Sequence, residues 1–402
     1  MRDLEALNQP RPMKIGVDAT TWQNKRGYGR FARALLDALV RVDSINHYTF
    51  FVDSSDNTDK IPGSVDVRLV RTTKATVDAA SSEGARSIGD MIRMSKAMSD
   101  RDLEVLLFPT IYSYVPVFSR AKKIVMIYDV IAEKYPLLTL PTRRSRLFWN
   151  IKVGIGIRQA SAFGTISEYS RDGIAGHFHI PAEKIHVVNG ASDPQFQVLK
   201  NPDMPPRIQK LGIFAFEKII LYVGGFGPHK NLHMLVDSFA NLLSQSKIKN
   251  ACLVMVGEYK QEAFHSSCQA LMQQIDESGL SDYVIFTGYL PDEELVVLLN
   301  KSTVLVLPSI IEGLGLPAVE AAACGCPVIA TKESPLPDLL GEAGIYIDPW
   351  KQDQLEGAIN RVLNSENLRT KMRAAGITAA RELSWEKSGL QMKNIIEEVV
   401  TR

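Results

Sequence analysis

The sequence predicts two α/β domains in tandem, each a doubly wound parallel sheet, and three observations predict it. At 402 residues the chain is longer than one hydrophobic core usually supports, so two units of near 200 residues are expected. Short apolar runs alternate with helical or loop stretches, the βαβ rhythm of parallel sheets. Midway, Asn201-Pro202-Asp203-Met204-Pro205-Pro206 breaks that rhythm and reads as a linker.

Residues 1–12 form a polar lead-in, mobile by expectation. The first strand is Lys14–Ala19, followed by a loop over 22–30 and an amphipathic helix to about Val42. Its apolar positions Phe31, Ala34, Leu35, Ala38 and Leu39 recur at helical spacing. Further strands are expected at Tyr48–Val52, Val65–Val70, Val105–Pro109, Ile124–Tyr128 and Ala162–Ile166. The second series is Ile219–Val223, Cys252–Val256, Val284–Thr287, Thr303–Leu307, Val328–Ala330 and Ile345–Ile347, and the tail from Trp385 to Val400 is helical.

Apolar residues at 45% and charged residues at 23% give ample core and no sign of disorder. The apolar runs are strand-sized, and Met1-Arg2-Asp3-Leu4-Glu5 lacks the apolar core of a signal peptide, so the expected location is the cytoplasm. Cys252, Cys268, Cys324 and Cys326 lack metal-ligand spacing and read as reduced, partly buried thiols. The net charge of +1 hides a split. Residues 1–200 carry 28 Lys and Arg against 21 Asp and Glu, whereas 201–402 carry 18 against 24. Without a nucleic-acid-binding motif this balance speaks against nucleic acid as a partner.

The densest signal is 308–325. Pro308 stops a buried strand, Gly313 and Gly315 leave the backbone bare, and Pro317 opens a helix running through Glu320. A helix mouth offers free N–H groups to an anion. Glu312 and Glu320 stand at the same mouth, so the ligand should bring hydroxyls as well. A sugar nucleotide supplies both.

Glu312-Gly313-Leu314-Gly315 with Glu320 resembles the Glu-x7-Glu motif of retaining GT-B glycosyltransferases of the family 4 type. The resemblance runs from about Lys14 to the C-terminus and is most specific at 308–325. It implies two Rossmann-like domains facing a cleft: an acceptor-binding domain at 13–203, a nucleotide-sugar-binding domain at 207–384, and a C-terminal helix, 385–402, packing back on the first domain. The activity implied is retaining, metal-independent transfer of a hexose, mannose or similar, from a GDP- or UDP-linked donor to a saccharide or lipid-linked saccharide. No cofactor is implied beyond the nucleotide sugar as co-substrate.

The resemblance also assigns residues. Gly224, Gly225, Lys230, Glu312, Gly313, Leu314, Gly315 and Glu320 would hold the donor, with Gly288, Tyr289 and Leu290 against its base through backbone groups. Lys230 would meet the phosphates, Asn231 could cap the next helix, and Gly225 stands where most relatives carry Arg. Gly27, Tyr28 and Gly29 would line the acceptor region or serve as a packing turn. Tyr128-Asp129 occupies the place of the family's His-Asp. An ordinary Tyr pKa of about 10 makes Tyr128 a poor base, so a hydroxyl contact to sugar or acceptor is expected instead. Asp129 either orients the acceptor or caps the following turn. Glu312, Lys230 and Asp129 are the catalytic candidates.

No Asp-x-Asp pair lies where it could hold a metal, since Asp100-Arg101-Asp102 sits at the wrong end of its sheet. Arg143–Arg158 carries five positive charges, no acid, and the pair Phe148-Trp149. Such a run suits an anionic membrane surface or a solvated helix face. A catalytically degenerate nucleotide-sugar-binding protein is the alternative that Gly225 and Tyr128 motivate.

Overall fold

The computed structural model describes residues 11–401 apart from 25–26, 55–57, 74–75, 77–86, 141 and 260–267. Most of the expected polar lead-in therefore lies outside the described residues. The first sheet comprises β1 (Lys14–Asp18), β2 (His47–Val52), β3 (Asp66–Leu69), β4 (Val105–Phe108), β5 (Lys122–Met126), β6 (Ala162–Thr165) and β7 (Ile185–Val187), in the order β3-β2-β1-β4-β5-β6-β7. The second comprises β8 (Lys218–Val223), β9 (Ala251–Val256), β10 (Val284–Gly288), β11 (Val304–Leu307), β12 (Val328–Thr331) and β13 (Gly344–Ile347), ordered β10-β9-β8-β11-β12-β13. Every neighbouring pair is parallel. The three-residue strand β7 is an addition to the expected set.

Parallel strands need crossovers, and these cover both faces of each sheet. The helices that shape the site are α1 (Gly27–Val42), α2 (Arg143–Gln159), α3 (Glu168–Phe178), α4 (Leu232–Ser244), α5 (Asp292–Lys301), α6 (Leu316–Ala323), α7 (Glu366–Glu382) and α8 (Trp385–Thr401). One face of the first sheet buries Val17, Val105, Leu107 and Ile124 against Leu35 and Leu39 of α1. The other buries Leu106, Phe108 and Val125 against Val153 of α2 and Ile174 of α3. All four cysteines are buried in the apolar core of the second sheet.

The terminal helix returns to the first sheet. Met392, Ile395 and Ile396 of α8 join the cluster of α1, and Gly389 sits so close that a Cβ there would lie 2.8 Å from the backbone of Ala38. Each such side chain contributes about 1.5–3 kcal/mol by leaving water, which holds the tail on the first domain.

In both sheets the strand order reverses at one place, between β1 and β4 and between β8 and β11. Ligands of open parallel sheets bind beyond the carboxyl ends of strands at such switch points. The loops after β8 and β11 carry Gly224–Lys230 and Pro308–Gly315, and α1 opens soon after β1.

Candidate active site

Gly315 begins the site. It caps α6 with φ +75°, a left-handed turn that disfavours a side chain, and a Cβ would meet Leu336 at 2.8 Å. The turn brings Glu312 under the loop after β8. There Lys230 Nζ donates to Glu312 Oε1 at 2.7 Å and Ser309 Oγ donates to the same oxygen at 2.6 Å. Glu312 is 8% exposed. Burial alone would raise its pKa, but the Lys230 ammonium, its hydrogen bond and Ser309 together bring it below the usual range. Glu312 is therefore ionised at neutral pH.

His229 adjoins the pair without adding charge. Burial, then the neighbouring Lys230, push its pKa down to about 4, so the imidazole stays neutral. Its Nδ1 is buried and has no hydrogen-bond partner among the described residues. Asn231 stands at the N-terminus of α4 in a left-handed conformation, yet its side chain caps nothing. Its Nδ2 instead donates to the carbonyls of Pro308 (3.2 Å) and Pro349 (2.8 Å), fastening the loops together. Position predicted the cap, and the left-handed backbone redirected the amide.

The Glu312 loop is docked on the first domain. Ser167 and Ser170 of the α3 N-terminus both donate to the Gly313 carbonyl at 3.2 Å. Gly313 has no room for a side chain, since a Cβ would lie 2.7 Å from Asp129 Oδ2. Leu314 is buried in the first domain's core cluster, and a Cβ on Gly190 would be 2.5 Å from its Cδ2. Leu314 was expected among the donor contacts, but its side chain is an interdomain plug and leaves only its backbone for a ligand. Leu290, whose expected contact with a base is through backbone groups, buries its side chain in the second core, 2% exposed. Tyr289 beside it is 41% exposed.

On the first-domain side, Asp129 accepts from Ile131 N–H at 2.9 Å, so it caps the next turn while its other oxygen faces Gly313. Burial, offset only in part by that hydrogen bond, raises its pKa to about 6. Tyr128 does not offer its hydroxyl to a ligand as expected. The group is buried and donates to the Pro109 carbonyl at 2.6 Å, and the ring packs on Phe31. Gly27 and Gly29 open α1, with Gly29 pressed against Asn24. Tyr28 packs on Tyr112 at 5.0 Å and Tyr112 on Trp149 at 5.3 Å, both pairs tilted, in an aromatic row running from the mouth of α1 to α2.

Glu320 is 1% exposed. Arg30 of α1 donates to its Oε1 at 2.6 Å and to Asp292 Oδ2 at 3.2 Å. Glu320 Oε2 has no partner among the described residues. Burial raises the Glu320 pKa to about 7 although Arg30 pulls it down, with Asp292 and Asp193 adding to the rise. Arg30 and Asp292 were missing from the sequence reading, because a pairing across 290 positions leaves no local pattern. A cavity of about 930 Å³ opens beside them, lined by Arg30, Asp292, Glu320, Phe196 and Trp385 among others.

Residues 203–379 match the family model described as glycosyl transferases group 1. O-antigen chain mannosyltransferase B of Escherichia coli is 29% identical over 230 residues, 57% of this chain and 58% of that protein. D-inositol 3-phosphate glycosyltransferase of Corynebacterium glutamicum is 25% identical over 227 residues, 56% of this chain and 54% of that protein. The matched stretch thus spans a little over half the length of these curated relatives. Sucrose-phosphate synthase from Thermosynechococcus elongatus superposes with a TM-score of 0.74 at 18% identity, covering 97% of this chain and 99% of that one. Anabaena HepE, solved with UDP and glucose, gives 0.72 at 18%, covering 96% and 100%. With one fold shared end to end, the chain has the GT-B fold, and its residues 203–379 match the glycosyl transferases group 1 pattern.

Proposed function

We propose that this chain transfers a hexose, mannose or a close relative, from a GDP- or UDP-linked donor to a saccharide or lipid-linked saccharide, with retention and without a metal ion. The observation that carries the reading is the Lys230–Glu312 salt bridge set at the mouth of α6, with Glu320 one turn further in. Lys230 and the N-terminal dipole of α6 neutralise the departing diphosphate, the electrostatic contribution that is usually largest in such reactions. Glu312 faces the hexose hydroxyls and Glu320 the ribose.

In the retaining reaction the acceptor oxygen attacks the anomeric carbon on the face the leaving diphosphate vacates. The anomeric C–O bond to phosphate breaks, the new C–O bond forms, and the acceptor's proton passes to the departing phosphate oxygen. Asp129, raised to about 6, lies across from Gly313 and orients the acceptor hydroxyl. The Tyr28–Tyr112–Trp149 row gives sugar rings apolar faces to lie on.

Relatives named for mannosyl transfer to O-antigen support a growing glycan as acceptor, and α2 supports a membrane-borne one. Leu147, Phe148 and Ile151 are each at least half exposed beside Arg143 and Arg144. Trp149, by contrast, turns inward, its Nε1 donating to Glu133 at 2.7 Å. The interfacial aromatic is therefore Phe148 alone. Thermal stabilisation by a panel of nucleotide sugars tests the reading. A donor at about 100 times its Kd should add roughly 2.7 kcal/mol, and a chain that responds to no nucleotide sugar lacks the proposed site.

A further inference from the structure

Arg30 belongs to α1, in the first domain, yet its guanidinium is spent on the second. Its Nη2 lies 2.6 Å from Glu320 Oε1 and 3.2 Å from Asp292 Oδ2, and its Cζ sits 5.9 Å from the centre of the Phe196 ring. Asp292 is braced in turn by Gln195 Nε2 at 3.4 Å. The arrangement fixes one oxygen of a carboxylate that is almost wholly buried and leaves the other, Oε2, unpartnered among the described residues. A buried acceptor without a donor is costly. Glu320 and Arg30 both line the cavity of about 930 Å³.

We propose that Arg30 is a positioning residue for the donor's ribose: it fixes Glu320 through Oε1 so that Oε2 is presented to a vicinal diol. Recognition of the nucleotide by the second domain then depends on a residue of the first, and domain closure and donor binding are linked. A Lys at this position would keep the charge but not the reach of a guanidinium that meets two carboxylates at once. The proposal rests on the reading of Glu320 as the ribose contact.

The test uses the full chain, calorimetric titration, and four probes: UDP, GDP and their 2′,3′-dideoxy analogues. The parent should bind one ribonucleotide at least tenfold more tightly than its dideoxy analogue. Arg30→Gln should reduce that ratio to within twofold, and Arg30→Lys should restore part of it. Glu320→Gln should abolish it. If Glu320→Gln abolishes the ratio while Arg30→Gln keeps it at tenfold, Arg30 does not position Glu320 and the inference is wrong. If the parent shows no ratio, or Glu320→Gln leaves it intact, the ribose reading of Glu320 fails instead. Circular dichroism separates a misfolded variant from an informative one, and Arg30→Lys then carries the test.

Discussion

At the scale of single residues, their charged neighbours set Glu312 and Glu320 apart. Both are carboxylates at one helix mouth, but Glu312 is neutralised by Lys230 and ionised, while burial lifts Glu320 to about 7. A carboxylate at a sugar site accepts hydroxyl hydrogen bonds best in its ionised form. Nucleoside diphosphate affinity should therefore rise as pH climbs through 7, by about tenfold between pH 6 and 8 for a single pKa near 7. In Glu320→Gln the same titrations should be flat. A pH-independent affinity in the parent would remove Glu320 from the binding equilibrium.

Lys230→Ala tests the other acid. It leaves Glu312 buried without its cation, which costs about 3 kcal/mol, and if Lys230 meets the diphosphate as proposed it should slow transfer by roughly 100-fold or more. Adding Glu312→Gln should recover most of the melting temperature and none of the turnover. Recovery of both would mean that the pair is structural.

At the scale of elements, the strand–turn–helix around 308–325 was legible because each residue type acts locally: Pro308 ends β11, Gly315 takes the left-handed turn, and Pro317 starts α6. The strands were legible as apolar runs, except β7, whose Ile185-His186-Val187 is too short to show alternation. Side-chain direction was not legible. Leu290 and Leu314 lie within glycine-flanked loops that read as ligand contacts, and only the packing shows them entering the two cores. Nor does sequence distinguish a Tyr128 hydroxyl facing a ligand from one bonded to Pro109. Leu314→Ala should cost about 2–5 kcal/mol as a core truncation and, by loosening the Gly313 loop from Ser167 and Ser170, lower kcat while leaving the Kd for the nucleotide within twofold. An equal loss in both would place Leu314 in the donor pocket after all.

At the scale of the whole molecule, the βαβ alternation and the chain length were enough for two parallel sheets, because crossover rules leave few other arrangements. What they could not give is the docking of one domain on the other. Arg30 on Glu320, Ser167 and Ser170 on Gly313, and Leu314 in the first core all join residues more than 120 positions apart. The charge split between the halves also belongs to this scale. If α2 meets an anionic bilayer, each basic side chain contributes about 1 kcal/mol. Replacing Arg143, Arg144 and Arg146 with Glu should abolish sedimentation with vesicles rich in phosphatidylglycerol. A parent chain that never sediments would make the run a solvated helix face and the acceptor a soluble one.

The central claim is that Lys230, Glu312 and Glu320 form the donor site of a metal-independent hexosyltransferase. Its most direct test is a transfer assay with GDP-mannose and a panel of UDP-hexoses, saccharide acceptors and excess EDTA, with product anomers assigned by NMR. The account predicts one donor consumed at an undiminished rate in EDTA, a product that keeps the donor's anomeric configuration, and turnover lost in Lys230→Ala. Complete and reversible loss of transfer on chelation, or an inverted product, would contradict it.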